Sequence, residues 1–293
     1  MDIFQAARYF DIQNFDYFDF TSRAWVSSAF KGQLKKTDTF TEIWNRPTRK
    51  RLLTCAPDQE PQSPVIRVPE SGETFMVGAS HKDVFDGYYR FIAGLHKIKG
   101  QAIVRRRAPA GPSNDPGYAV ETVVVDTFGD NELRSADENQ DREIEHYGSY
   151  FLFLPINTSL NRDDSVEIDG VRYFVLESYA DSGLMCARAT TQPDDRINVL
   201  YVSLGAETYD TTTQQSSRTP TTYQVTGRVK PLNSKLSNDE NILATQISFL
   251  IRKSWIGVDP KIDDKMTIGS KTSRVTNVAQ NSLRDEWYIT LEN

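Results

Sequence analysis

The chain has 293 residues, 38% hydrophobic and 11% aromatic, which is enough apolar surface to close two or three compact cores and too much for a disordered polymer. With 34 Lys and Arg against 40 Asp and Glu, the formal charge of −6 excludes a global basic field that would hold the chain on nucleic acid or an anionic membrane. Two cysteines, Cys55 and Cys186, exclude a disulfide framework and lack metal-knuckle spacing, so both are expected to be buried thiols.

Residues 1–36 stand apart, because nine of the first thirty residues are aromatic. Phe10, Phe15, Phe18, Phe20 and Trp25 read as an N-terminal arm that docks on a neighbouring subunit or partner, or that covers one end of the first module. Residues 37–99 alternate in short apolar bursts separated by Pro47, Pro57, Pro61 and Pro64, as in a small β domain. Their densest positive cluster, Arg46, Arg49, Lys50 and Arg51, suits a phosphate backbone or an acidic partner, or else a solvated hairpin tip.

A second β module is expected over 100–205. It starts with the strand Gln101–Arg107, passes an exposed Pro- and Gly-rich loop, and continues with the strand Ala119–Val125. The acidic stretch between Gly129 and Gly148, with Asp130, Glu132, Asp137, Glu138 and Glu143, reads as a solvated helix or loop. Ser149–Leu154 is apolar enough to be buried on both faces. Residues 206–222 are low in complexity and read as a linker. A third module over 223–293 carries a polar segment with Asn233, Ser234, Lys235 and Asn238, then a strand and a terminal hairpin. The expected fold is therefore all-β, a tandem of small antiparallel barrels or sandwiches.

An internal echo supports the tandem. Asp163-Asp164-Ser-Val-Glu-Ile-Asp-Gly precedes Val175, and Asp263-Asp264-Lys-Met-Thr-Ile-Gly-Ser precedes Val275, one hundred residues on. A looser copy runs from Val65 to Val77, with Val68 one hundred residues before Ile168 and no acidic pair. The pairs Asp163/Asp164, Asp194/Asp195 and Asp263/Asp264 have the composition of a calcium site or a glycosidase dyad. Neighbours on a strand point opposite ways, however, and Asp before an extended run favours a turn, so turn chemistry is the preferred reading.

Val229-Lys-Pro-Leu-Asn-Ser234, Thr245 to Arg252, Pro260 to Gly269, Val275, Val278 and the closing strand Trp287–Leu291 together resemble the small β-barrel head-tail joining proteins of tailed bacteriophages, called stoppers or head-closure proteins. The likeness covers 223–293 and, more loosely, 101–190; an extra module or two and an aromatic arm go beyond the single barrel usual in that family. The resemblance implies a virion protein of the neck, made in the bacterial cytoplasm, that forms a homo-oligomeric ring against a portal or adaptor. The ring would meet tail terminator, tail tube or tail hub proteins and touch packaged DNA transiently. The polar segments at 129–148 and 233–240 become candidate lumen or docking loops.

No catalytic residue, cofactor or metal is expected. His81, His96 and His146 are not paired at metal spacing, and no nucleophile elbow, phosphate loop or dinucleotide fingerprint occurs. No apolar run reaches the roughly 20 residues of a membrane helix, and the opening residues lack the pattern of a secretory signal. The competing class is a carbohydrate-binding or adhesion sandwich using exposed Trp44, Trp255, Trp287, Tyr88 and Tyr89.

Overall fold

The alternating bursts close into sheets because each strand puts one face toward a core and the other outward. The computed structural model describes residues 12–36, 50–85, 88–112, 114–133, 149–191, 195–230, 246–281 and 285–292. Among them the regular structure is strand apart from two short 3₁₀ turns, Pro57–Gln59 and Lys253–Trp255. The strands form three closed six-stranded antiparallel barrels, so the tandem of small barrels read from the sequence is the observed fold.

The first barrel comprises β1 (Ile12–Asp19), β2 (Ala24–Lys36), β3 (Lys50–Cys55), β4 (Val65–Arg67), β5 (Thr74–Phe85) and β6 (Tyr88–Lys97). The second comprises β7 (Gly100–Pro109), β8 (Ala119–Leu133), β9 (Ser149–Pro155), β10 (Ser165–Ile168), β11 (Val171–Asp181) and β12 (Leu184–Thr190). The remaining strands are β13 (Arg196–Ser203), the two-stranded hairpin β14 (Glu207–Asp210) and β15 (Gln215–Arg218), then β16 (Thr221–Lys230), β17 (Gln246–Arg252), β18 (Lys265–Ile268), β19 (Lys271–Asn281) and β20 (Glu286–Glu292). The third barrel uses all of these except β14 and β15.

All three barrels have one topology. Numbering the strands of each from one to six, the order around the barrel is 1-2-3-6-5-4, with the fourth strand returning to pair with the first. The likeness extends to single residues. The fifth strand slips register just after Val77, Val175 and Val275, three bulges at one place. Each of these valines donates its N–H to the carbonyl eleven to thirteen positions earlier in the matching turn, that of Pro64, Asp164 or Asp264, at 2.8, 2.9 and 2.8 Å. The loose copy at Val65 is thus a full structural repeat, hidden because Pro64 replaces the acid and the hairpin turn is longer.

The paired aspartates set turns. Asp163 and Asp263 sit at φ of +70° and +78°, a region that Asn and Asp enter more readily than other non-glycine residues. Asp164 and Asp264 are buried. The Asp164 carboxylate accepts the Asn161 N–H at 2.8 Å and two bonds from Arg106 at 2.9 and 2.8 Å. That of Asp264 accepts the Leu204 N–H at 2.8 Å, the Lys261 N–H at 3.0 Å and the Tyr201 hydroxyl.

Three boundaries differ from the sequence reading. Ile12–Asp19 and Ala24–Lys36 are strands of the first barrel, not a free arm, with Phe15 and Phe30 stacked in its core at 5.1 Å. The second barrel ends with β12, and Arg196–Ser203 pairs with β16 and β18 in the third. The expected linker holds the β14–β15 hairpin, an excursion between two paired strands of one barrel. A composition rich in Thr, Ser and Gln reads as a linker because every residue of this hairpin is exposed, leaving no core to demand apolar residues. Its turn is shaped like that between β1 and β2. Asp210 accepts bonds from Thr212 and Thr213 ahead of Gln214 at φ +52°, as Asp19 does from Thr21 and Ser22 ahead of Arg23 at +55°.

By contacts the chain forms two compact units, Met1–Arg106 with Val123–Gln192, and Arg107–Thr122 with Pro193–Asn293. The second unit holds the third barrel's core, around Tyr201, Phe249, Trp255, Met266, Ile289 and Leu291.

Candidate functional site

In the first unit the first two barrels share a buried seam. β9 explains why Ser149–Leu154 reads as apolar on both faces. Leu152 and Leu154 fill the second barrel, while Phe151 and Phe153 face outward into the seam with Leu184 and Cys186. Val65, Met76 and Ile98 of the first barrel meet them, joined by half-buried Phe18, Phe20, Trp25 and Phe128. Phe18 packs edge-on against Phe20, Trp25 and Phe128 at 5.1, 5.4 and 4.9 Å, and the Arg67 guanidinium lies 4.4 Å from the Trp25 ring. The aromatic density near the start of the chain therefore serves an intramolecular interface. Phe15, expected in a docking arm, is core, and Phe18, Phe20 and Trp25 pack against the second barrel of the same chain. Phe10 lies outside the described residues.

The seam also carries charge. Asp130 and Glu132 are not on a solvated loop; they extend β8, which runs on to Leu133, with Asp130 fully buried and Glu132 half-buried. Residues 128, 130 and 132 share the strand's outward face, and Asp130 is registered opposite Phe153. His96, on β6 of the first barrel, places its ring 4.4 Å from that of Phe153 and Nε2 2.8 Å from the Asp130 carboxylate. The ligand atoms of His96, Asp130 and Glu132 all lie within 4.8 Å of one another. Beside them Lys99 donates to the Asn131 amide oxygen at 3.1 Å. The sequence reading left His96 unpaired because its partner is 34 positions away on another barrel; no local spacing signals that pair.

The other candidates separate as follows. Asp137, Glu138 and Glu143 lie outside the described residues, as do Asn233, Ser234, Lys235, Asn238, Arg46 and Arg49. The segments that contain them nevertheless occupy one topological position. Residues 37–49, 134–148 and 231–245 each join the second strand of a barrel to its third. Lys50 and Arg51 begin β3, with Arg51 half-buried and registered opposite Leu95.

The aromatics read from the sequence as a sugar platform divide between buried, half-buried and undescribed side chains. Trp255 is buried, with the Arg196 and Arg252 guanidiniums at 5.0 and 5.7 Å, and Trp287 is half-buried under Lys253 at 5.0 Å. Trp44, and the side chains of Tyr88 and Tyr89, lie outside the described residues. Cys55 and Cys186 are buried free thiols, and burial, aided by the negative charges of Glu60 and Asp58, pushes the Cys55 thiol up to about 12. Among the described residues no helix is long and apolar enough to cross a membrane.

Comparison with family models, with curated proteins and with solved structures returned no match for this chain.

Proposed function

We propose that this chain is a structural joint of a tailed-phage neck. It assembles as a homo-oligomeric ring between the portal or adaptor of the head and the terminator, tube or hub proteins of the tail, and it helps retain and gate packaged DNA. It acts in the virion and works without chemistry. The observation that carries this reading is the threefold repetition of one closed barrel, with a long connection at the same topological place in each copy. Closed barrels leave no free sheet edge, so assembly runs through connections and faces, which can vary while the barrels stay fixed. The three connections hold the acidic Asp137, Glu138 and Glu143, the polar Asn233, Ser234, Lys235 and Asn238, and the basic Arg46 and Arg49. Acidic segments let DNA slide, and the basic one supplies a weak, salt-dependent contact.

The test is solution mass and electron microscopy of the purified full chain, alone and mixed with portal–adaptor complex. The expected result is a ring, alone or on that complex, whose formation is weakened when residues 135–147 are replaced by a short Gly-Ser linker. A chain that stays monomeric under both conditions and binds immobilised glycans overturns the proposal.

A further inference from the structure

We propose that His96, Asp130 and Glu132 form a binding site for one divalent transition-metal ion that staples the first barrel to the second. The donor set is one imidazole and two carboxylates, a mixture that suits Zn²⁺, Co²⁺ or Mn²⁺ and not the all-oxygen shell of Ca²⁺. Donors bound to one such ion stand ~3 to 3.5 Å apart. Here all three lie within 4.8 Å and two are already at 2.8 Å, so a rotamer adjustment of the half-buried Glu132 completes the set.

The supports of the site are those a metal ligand needs. The His96 ring is held against Phe153, and its strand is paired on both sides, through Lys50 and Met76. Asp130 lies on β8 paired opposite that same Phe153, with no exposed surface. Backbone register therefore fixes two ligands before any ion arrives, which lowers the ordering cost of binding.

The other two barrels carry different residues at these places. The topological repeat lets equivalent positions be matched by register. The place of Asp130, on the second strand opposite the third, is Gln33 in the first barrel and Arg228 in the third. The place of His96 on the sixth strand is Thr190 in the second barrel and Glu292 in the third. The barrel fold asks for neither an acid nor a histidine there. Both occur at a seam where the two positions face each other across barrels, and both are buried there. Glu132, two residues along the same face, adds a second acid to the pair.

The site is tested on the full chain stripped with a chelator and dialysed, then titrated calorimetrically with ZnCl₂ and, separately, CoCl₂ with visible absorption spectra. The expected result is one equivalent bound, with the cobalt bands of a site containing nitrogen and oxygen donors. Glu132→Gln should weaken binding at least tenfold and His96→Asn should remove it, while His81→Asn, on the exposed face of β5, should leave it unchanged. Circular dichroism checks that Glu132→Gln folds; since Glu132 is only half-buried, that variant decides the question even where His96→Asn misfolds. Added Zn²⁺ should also raise the melting temperature of the wild type and not that of Glu132→Gln. No stoichiometric uptake by the wild type, or uptake undiminished by Glu132→Gln, overturns the proposal and leaves a buried histidine–carboxylate pair.

Discussion

Replacing Asp264 by Ala should be among the most damaging single changes in the third barrel, although the neighbouring Asp263 should tolerate replacement. Asp264 is 2% exposed, and its carboxylate receives the Leu204 N–H, the Lys261 N–H and the fully buried Tyr201 hydroxyl. Burial and the Asp264 bond both push the Tyr201 phenol above its ordinary range, so that hydroxyl remains a donor at any physiological pH. Truncation strands two donors, the Leu204 N–H and the Tyr201 hydroxyl, at about 1–3 kcal/mol each, while the Lys261 N–H keeps its 3.2 Å bond to the Tyr201 oxygen, for a net loss of about 2–4 kcal/mol. For a unit near 100 residues that lowers the melting temperature by upwards of ~10 °C. Asp263 forms an exposed pair with Arg274 and sits at φ +78°, so Asp263→Gly exchanges a surface ion pair worth about 0–1 kcal/mol for a relaxed backbone and should be close to neutral. Hydrogen exchange by mass spectrometry, read on peptides spanning Leu204 and Lys261, isolates the third barrel from the other two. If Asp264→Ala costs less than ~1 kcal/mol on that scale, or no more than Asp263→Gly, the carboxylate does not anchor the turn and the argument from buried donors fails.

Gly227→Ala should destabilise the third barrel by several kcal/mol, since a Cβ there would stand 2.4 Å from the Leu250 carbonyl oxygen and 2.4 Å from the Phe249 ring; thermal melts that match the wild type would refute that close packing. Deleting the exposed β14–β15 hairpin in favour of a two-residue turn between Gly205 and Thr219 should leave the melting temperature within a few degrees, and a large drop would mean that the hairpin is part of the fold. In a Cys186→Ser background, Cys55 should resist a thiol-specific disulfide reagent at pH 8 until denaturant is added, and fast native labelling would contradict its burial. Because its folded-state thiol is raised to about 12, Cys55 contributes stability that is complete below the unfolded thiol's range and lost as pH rises toward 12; alkaline unfolding should begin at higher pH in Cys55→Ala.

Much of the architecture is written locally. Alternation along strands, Pro and Gly breaks, and the Asp-Asp hairpin word repeated at 163 and 263 lead to tandem antiparallel barrels, because period-two burial and turn chemistry are properties of neighbouring residues. The same locality explains the boundary errors. Ile197–Ser203 alternates like any strand, and nothing in its own residues says that it pairs with Thr221–Lys230 instead of closing the barrel before it. The aromatic run near the start is equally legible as an interface and equally silent about its partner, which is the seam of Phe128, Phe151 and Phe153. The third repeat was masked by Pro64, because a backbone carbonyl does there what it does at Asp164 and Asp264, and a carbonyl has no residue signature. His96, Asp130 and Glu132 carry no pattern at all in one dimension. Sequence by itself determined strands, turns and the period of the repeat, since each rests on contacts within a few residues. Only the tertiary structure decided which strands close each barrel and which side chains meet across the seam, since both depend on pairing between segments tens of residues apart.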